Sequence, residues 1–227
     1  MAESSLSVTF DDLEIEVGSY LGWPLDSDDW TADQDIHFGQ LLKRGLRWFY
    51  YPMKPESDER YSWSFMLQTG SLSLTNADAD YDLPDDFAGI VDGDVLFSAT
   101  NRRVSKCPMD RLLNLRAVEG GTGVPKYFAV RAKAVAPTTG NRYEMIFHPT
   151  PNASLTAVFR YPIAANVIDG TNKYPLGGAL HSETIIAAVL AAAEERMDDS
   201  AKGERFEKFQ QLLAASIRAD MAAKEAM

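Results

Sequence analysis

The apolar residues of this chain change their spacing twice, and that pattern constrains the fold more than any single motif. They recur every three or four residues up to about residue 50, every second residue through the middle, and every three or four again after about residue 182. Each helical end carries one apolar stripe that it cannot bury alone. The expected class is α+β. Terminal helices from both chain ends, residues 1–52 and 176–227, form a helical bundle, and residues 53–175 form an inserted antiparallel β-rich lobe, a sandwich or small barrel.

Local signals place the elements. Thr9, with Asp12 three residues on, reads as a capped helix start, and Phe10, Leu13, Val17, Tyr20 and Leu21 follow as its stripe. Gly22 and Pro24 end it. Thr31 with Gln34 opens a second helix that runs to about Tyr50, with Ile36, Leu41, Leu42, Leu46, Trp48 and Phe49 on its buried side. Gly45 inside it costs about 1 kcal/mol relative to alanine, and reads either as the mark of a close neighbour or as a weak point of the helix. Alternation predicts strands at Tyr61–Phe65 and Leu72–Thr75; Val95–Phe97, Tyr127–Arg131, Tyr143–Phe147 and Leu155–Tyr161 are further strand candidates set apart by Pro/Gly/Asn/Thr clusters, with a helical turn at Met109–Leu115 and a hairpin loop at Pro137–Asn141. A helix from His181 or Ser182 to about Met197 and another from about Lys202 to Ala223 complete the chain as an αα-hairpin.

Composition narrows the function. Against 22 basic side chains stand 33 acidic ones, a net charge of −11, which argues against a protein gripping nucleic-acid phosphates over its whole surface. No apolar run approaches the roughly 20 residues of a membrane span, so no membrane insertion is expected. Met1-Ala2-Glu3-Ser4-Ser5 carries neither the basic nor the apolar region of a secretion signal. A single cysteine, Cys107, excludes an internal disulfide and a multi-cysteine metal site, and His37, His148 and His181 lie far apart.

The remaining chemistry is thin. Asp85-Asp86 after Pro84 reads as a solvated turn before it reads as paired catalytic carboxylates. Asp78, Asp80 and Asp82 lack the glycine and terminal glutamate of a calcium loop. His181-Ser182-Glu183 reads as a helix cap, since neighbours in sequence do not face each other there. Gly120-Gly121-Thr122-Gly123 runs into Pro125 without the lysine and helix of a phosphate loop. No catalytic, cofactor-binding or metal-ligating residue is assigned, no cofactor is expected, and the chain is not read as an enzyme. Trp48-Phe49-Tyr50-Tyr51, with Tyr61, Trp63 and Phe65, reads as packing or as a stacking platform. Arg102, Arg103 and Lys106 form the one compact basic cluster.

The order of these parts resembles a known family. An acidic-capped helix ends in Leu21-Gly22-Trp23, and a second helix ends in Gly45-Leu46-Arg47-Trp48-Phe49-Tyr50-Tyr51-Pro52. A strand region opens with Tyr61-Ser62-Trp63-Ser64-Phe65 and contains Leu83-Pro84-Asp85-Asp86-Phe87, and a terminal helical hairpin carries Glu183, Glu194 and Glu195. This is similar to the head-to-tail connector (adaptor) proteins of tailed bacteriophages, also called gatekeeper or tail tubular proteins. The resemblance implies a structural virion protein, assembled in the host cytoplasm, that forms a homo-oligomeric ring, usually twelvefold, between the portal protein and a tail or nozzle protein, with double-stranded DNA passing through. It implies portal docking by the last helix (Phe206, Phe209, Leu213, Ile217, Met221), with the strand lobe facing the tail. Subunit–subunit packing would fall to the alanine-rich helix (Ile185, Val189, Ala192), and contact with DNA or an acidic partner to Arg102, Arg103 and Lys106. A monomeric carbohydrate- or ligand-binding β module flanked by helices, and an enzyme with a dispersed site, are the competing readings.

Overall fold

The computed structural model describes residues 3–54, 59–90, 95–99, 101–133, 140, 142–198 and 203–225. Its elements begin with helices α1 (Phe10–Leu21) and α2 (Ala32–Tyr50), then strands β1 (Leu67–Leu74), β2 (Asp80–Asp82), β3 (Val95–Phe97) and β4 (Arg102–Lys106). Helix α3 (Met109–Val118) follows, then β5 (Thr122–Gly123), β6 (Tyr127–Ala132), β7 (Tyr143–His148), β8 (Thr150–Pro151) and β9 (Leu155–Pro162). The chain closes with α4 (Ser182–Asp198) and α5 (Glu204–Glu225). The class is α+β. Two compact units result: Met1–Phe65 with Ala165–Met227, and Met66–Ala164.

In the helical unit both predicted capping boxes form. The Asp12 N–H donates to Thr9 Oγ1 at 3.1 Å while the Thr9 N–H donates to Asp12 Oδ2 at 2.8 Å. Thr31 and Gln34 repeat the exchange at the start of α2. Gly22, in the left-handed region at φ 70°, ends α1. The buried stripe of α2 is Phe38, Leu41, Leu42, Gly45, Leu46 and Phe49. Ile36 falls off that three/four spacing and is exposed, against expectation. Helix α4 packs against α1, α2 and α5 together. Its middle, Ala187–Ala193, is buried by these three neighbours, which is why that stretch is apolar on every face. Ile185, Val189 and Ala192 are fully buried within the single chain, so they are not available to a neighbouring subunit. The small side chains serve an internal approach instead: a Cβ placed at Gly45 would lie 2.6 Å from Val189 Cα.

The start of α5 lacks its own side-chain cap, and Glu194 of α4 supplies one. Its carboxylate accepts from the Arg205 N–H at 3.0 Å and the Phe206 N–H at 3.2 Å, a buried anion at the positive end of a helix. Glu194→Ala is expected to lower stability by about 1–2 kcal/mol, as loss of a helix cap does, read as a drop in denaturation midpoint. Lys202, the expected start of α5, and most of the expected hairpin loop at Pro137–Asn141 lie outside the described residues.

Tyr61–Phe65 is not a strand. It runs extended into a 3-10 turn at Ser64–Met66. Trp63 is fully buried there, its ring 5.0 Å from Phe49, and its Nε1–H donates to the Phe49 carbonyl at 2.8 Å. Its alternation reports one side buried on the helices rather than a ladder.

In the strand unit a seven-stranded sheet has the order β1-β9-β3-β4-β6-β7-β2, and β5 pairs with β8. The sheet is mixed, not antiparallel throughout. Strand β6 runs parallel to β4 because the connection between them passes through α3, and a crossover returns the chain in the same direction. Leu112 of α3 is buried with Cys107, Ala129 and Ile146 beneath that crossover. Burial pushes the Cys107 thiol up, against the pull of the Arg111 charge, so it is a packed side chain and not an activated thiol.

Candidate docking groove

The aromatic run at the end of α2 and the first turns of α5 meet in the helical unit. Trp48 stands edge-on to Phe206 at 5.7 Å and stacks with Phe209 at 6.2 Å, and Arg44 lies over the Trp48 ring at 5.2 Å. Arg44 is held in place by Glu195 of α4 at 2.7 Å. Past Pro52 the chain turns back on itself: Met53 bridges to Arg60, the Lys54 N–H donates to the Glu59 carbonyl at 2.8 Å, and the Tyr61 N–H to the Pro52 carbonyl at 2.8 Å. This arm forms the second wall of an open groove of about 440 Å³, lined by Trp48, Tyr51, Met53, Phe206, Phe209 and Leu213, with Arg47 and Lys54 at its cationic rim.

The groove brings together three of the five α5 residues expected to dock. Phe206 and Leu213 are half-buried in its wall, and Phe209, 3% exposed, is its floor. Ile217 is not available: it is 2% exposed, packed inside the bundle. Met221 is half-exposed and does not line the groove. Tyr51 belongs to the aromatic run read as packing or as a stacking platform, whereas Met53 carries no such expectation, because its place in the groove depends on the return of the chain after Pro52. The apolar Met53 beside a proline and a lysine was the one signal in the sequence.

The arm is anchored by Asp220 of α5. Its carboxylate accepts from the Tyr61 hydroxyl at 2.7 Å, the Ser64 N–H at 3.1 Å and the Ser64 hydroxyl, with the Lys224 ammonium 3.2 Å away. Burial alone would raise its pKa; the bonds from Ser64, Tyr61 and Lys224 outweigh that and hold the carboxyl below its ordinary range. Next to it, His181 lies among Phe49, Trp63 and Phe65, and burial pushes its pKa down despite the nearby Asp220 charge. A neutral imidazole in an aromatic cluster is a packing element.

In the strand unit the basic cluster does not form one patch. Strand alternation places Arg102 and Lys106 on the side of buried Val104 and Arg103 on the other, all three exposed. The acidic residues weighed for chemistry are spent on ion pairs and hydrogen bonds: Asp80 with Arg116 at 2.7 Å, Asp82 with Lys133 at 2.6 Å, Asp85 with Arg142, and Asp86 with the Tyr161 hydroxyl. Among the described residues no group of three or more His, Cys, Asp or Glu side chains is placed to hold a metal ion. No described helix is long and apolar enough to cross a membrane.

No curated protein matches the chain. A family model described as SU10 adaptor protein matches residues 8–226, nearly the whole sequence: all of the strand unit and all of the helical unit but residues 1–7 and 227. The chain belongs to the SU10 adaptor protein family, a family of phage head–tail adaptors.

Proposed function

We propose that this structural adaptor assembles as a closed dodecameric ring between the portal and the tail, with the DNA passing through its centre. The observation that carries the proposal is membership of the adaptor family over residues 8–226. A ring needs a heterologous contact that closes by rotation, and the surfaces for it lie elsewhere than on buried α4. The net charge of −11 suits a lining that repels the duplex and lets it slide. Arg102 and Lys106 on one face of β4, and Arg103 on the other, are separate local contacts to DNA or to an acidic partner. Assembly takes place in the host cytoplasm.

The groove on the helical unit is the portal dock. It combines aromatic and methionine side chains at its centre with a cationic rim, the composition of a binding hot spot. Phe206, Leu213, Tyr51 and Met53 make the contact, with Met221 beyond the groove, and Phe209 supports them from beneath.

Electron microscopy of the purified protein, alone and with portal, tests both parts. Twelvefold rings that seat on the portal are the expected result, and a protein that stays monomeric and never joins portal rings overturns the reading. The paired Met53→Glu and Leu213→Glu variant is expected to fold and to form rings, yet to bind portal about tenfold or more weakly, since it buries charge at the centre of the contact. Unchanged portal affinity places the dock elsewhere.

A further inference from the structure

The two edges of the seven-stranded sheet are unlike. Strand β2 is three residues long, and its flanking bonds, Phe147 N–H to the Ala79 carbonyl and Leu83 N–H to the Tyr143 carbonyl, direct the main-chain groups of Asp80 and Asp82 outward. The Asp80 N–H is then capped by Asp78 Oδ1 at 3.3 Å, and both aspartate side chains are held in ion pairs. A short, charged, self-capped strand is an edge protected against further pairing.

Strand β1 has none of these devices. Its eight residues, Leu67 to Leu74, carry no charge and no proline, and pair with β9 over Leu155–Pro162 without a bulge. Gly70 does not break it, because the rings of Phe159 and Tyr161 lie across the space a Cβ would enter, at 3.0 and 2.9 Å. Its direction of bonding follows from one contact. The Ile163 N–H donates to the Met66 carbonyl at 2.9 Å, so the even-numbered residues of β1 exchange bonds with β9 and the odd-numbered ones face away. Leu67, Thr69, Ser71 and Ser73 therefore present their N–H and C=O groups along an edge that no described residue pairs with. The side chains of Thr69, Ser71 and Ser73 are exposed.

We propose that β1 receives an extended, uncharged segment of another virion protein, which adds to the sheet as an eighth strand. An edge without side-chain charge recognises main chain, so the partner is an extended polypeptide about as long as β1. Neither sheet edge of a second copy fits. Pairing β1 with itself makes a two-fold contact that cannot close a rotational ring, and the other edge of the sheet is capped. The inference rests on the adaptor ring proposed above, and is tested separately from it.

Proline at Ser71 removes an outward N–H without touching the ladder to β9. In the phage that encodes this protein, Ser71→Pro is expected to leave the melting temperature and ring formation of the purified adaptor as in wild type. It should lower the yield of joined head–tail particles about tenfold or more, with Ser71→Ala as the unaffected control. Electron microscopy of wild-type particles should show a strand of another chain about 4.8 Å from β1. If Ser71→Pro unsettles the fold, Thr69→Lys with Ser73→Lys blocks the same edge by charge and leaves every N–H in place. Normal joining in these variants, or a bare β1 edge in the particle, overturns the proposal. Loss of rings in Ser71→Pro while wild type forms them also overturns it, by making a neighbouring copy the occupant. Wild-type protein that forms no rings counts against the ring alone, because the particle still reports on β1.

Discussion

Gly45→Ala is expected to destabilise the protein by about 1–3 kcal/mol, although alanine is the better helix former by about 1 kcal/mol. Gly45 sits on the buried stripe of α2, where a Cβ would lie 2.6 Å from Val189 Cα and 2.8 Å from Val189 N. Those are main-chain atoms of α4, so no side-chain rotation relieves the clash; the two helices must move apart, and α4 is already packed against α1 and α5. Gly39, six residues earlier on α2, has nothing within 4 Å of a built Cβ. Gly39→Ala is the control, expected to be neutral or stabilising by up to about 1 kcal/mol. Urea denaturation of the two variants beside wild type makes the comparison. If Gly45→Ala gains stability as Gly39→Ala does, the α2–α4 approach is not as close as described.

The same position shows how far sequence reasoning reached. A glycine inside a helix signals a close approach, and the alanines of α4 signal a helix that tolerates one, but neither says which helix approaches which. The small residues of α4 point as readily to another subunit as to α2, and only the three-sided packing decides. Capping boxes at Thr9 and Thr31 were legible because every partner lies within three residues. Strands β3, β6, β7 and β9 were legible because short apolar and aromatic runs between turn-residue clusters are a local signal as well. Strand β4, Arg102-Arg103-Val104-Ser105-Lys106, has one apolar residue and no visible alternation, and its parallel pairing depends on where α3 carries the chain. The groove was half legible. Phe206, Phe209 and Leu213 follow the helical spacing of α5, whereas Tyr51 and Met53 join them through a turn of chain whose anchor, Asp220, is a distant carboxylate on the same helix.

That anchor carries the second large effect. Asp220→Ala is expected to lower stability by about 3 kcal/mol at pH 7, because it strands the Tyr61 hydroxyl and the Ser64 donors in a region with little water to replace the acceptor. The pH dependence distinguishes this from simple loss of packing. The folded carboxyl titrates below its ordinary value, held there by bonds from Ser64, Tyr61 and Lys224 that outweigh its burial. Its contribution is therefore fully present above the unfolded value of about 3.9 and is lost as pH falls through the folded one. Tyr61 works in the opposite window: burial and the Asp220 charge raise its phenol, so its contribution holds below the ordinary tyrosine value and is lost as pH rises above it. The gap between wild type and Asp220→Ala should thus be flat from about pH 7 to pH 9, widen slightly below about pH 6.5 as His181 loses the charge that favours its protonation, and narrow below about pH 4, measured by urea denaturation at each pH. The arm that Asp220 fixes carries Met53, so the variant should also lose portal binding at temperatures where the bundle is still folded. A gap that stays constant down to pH 3 makes Asp220 a space-filling side chain, and the groove would then need another support.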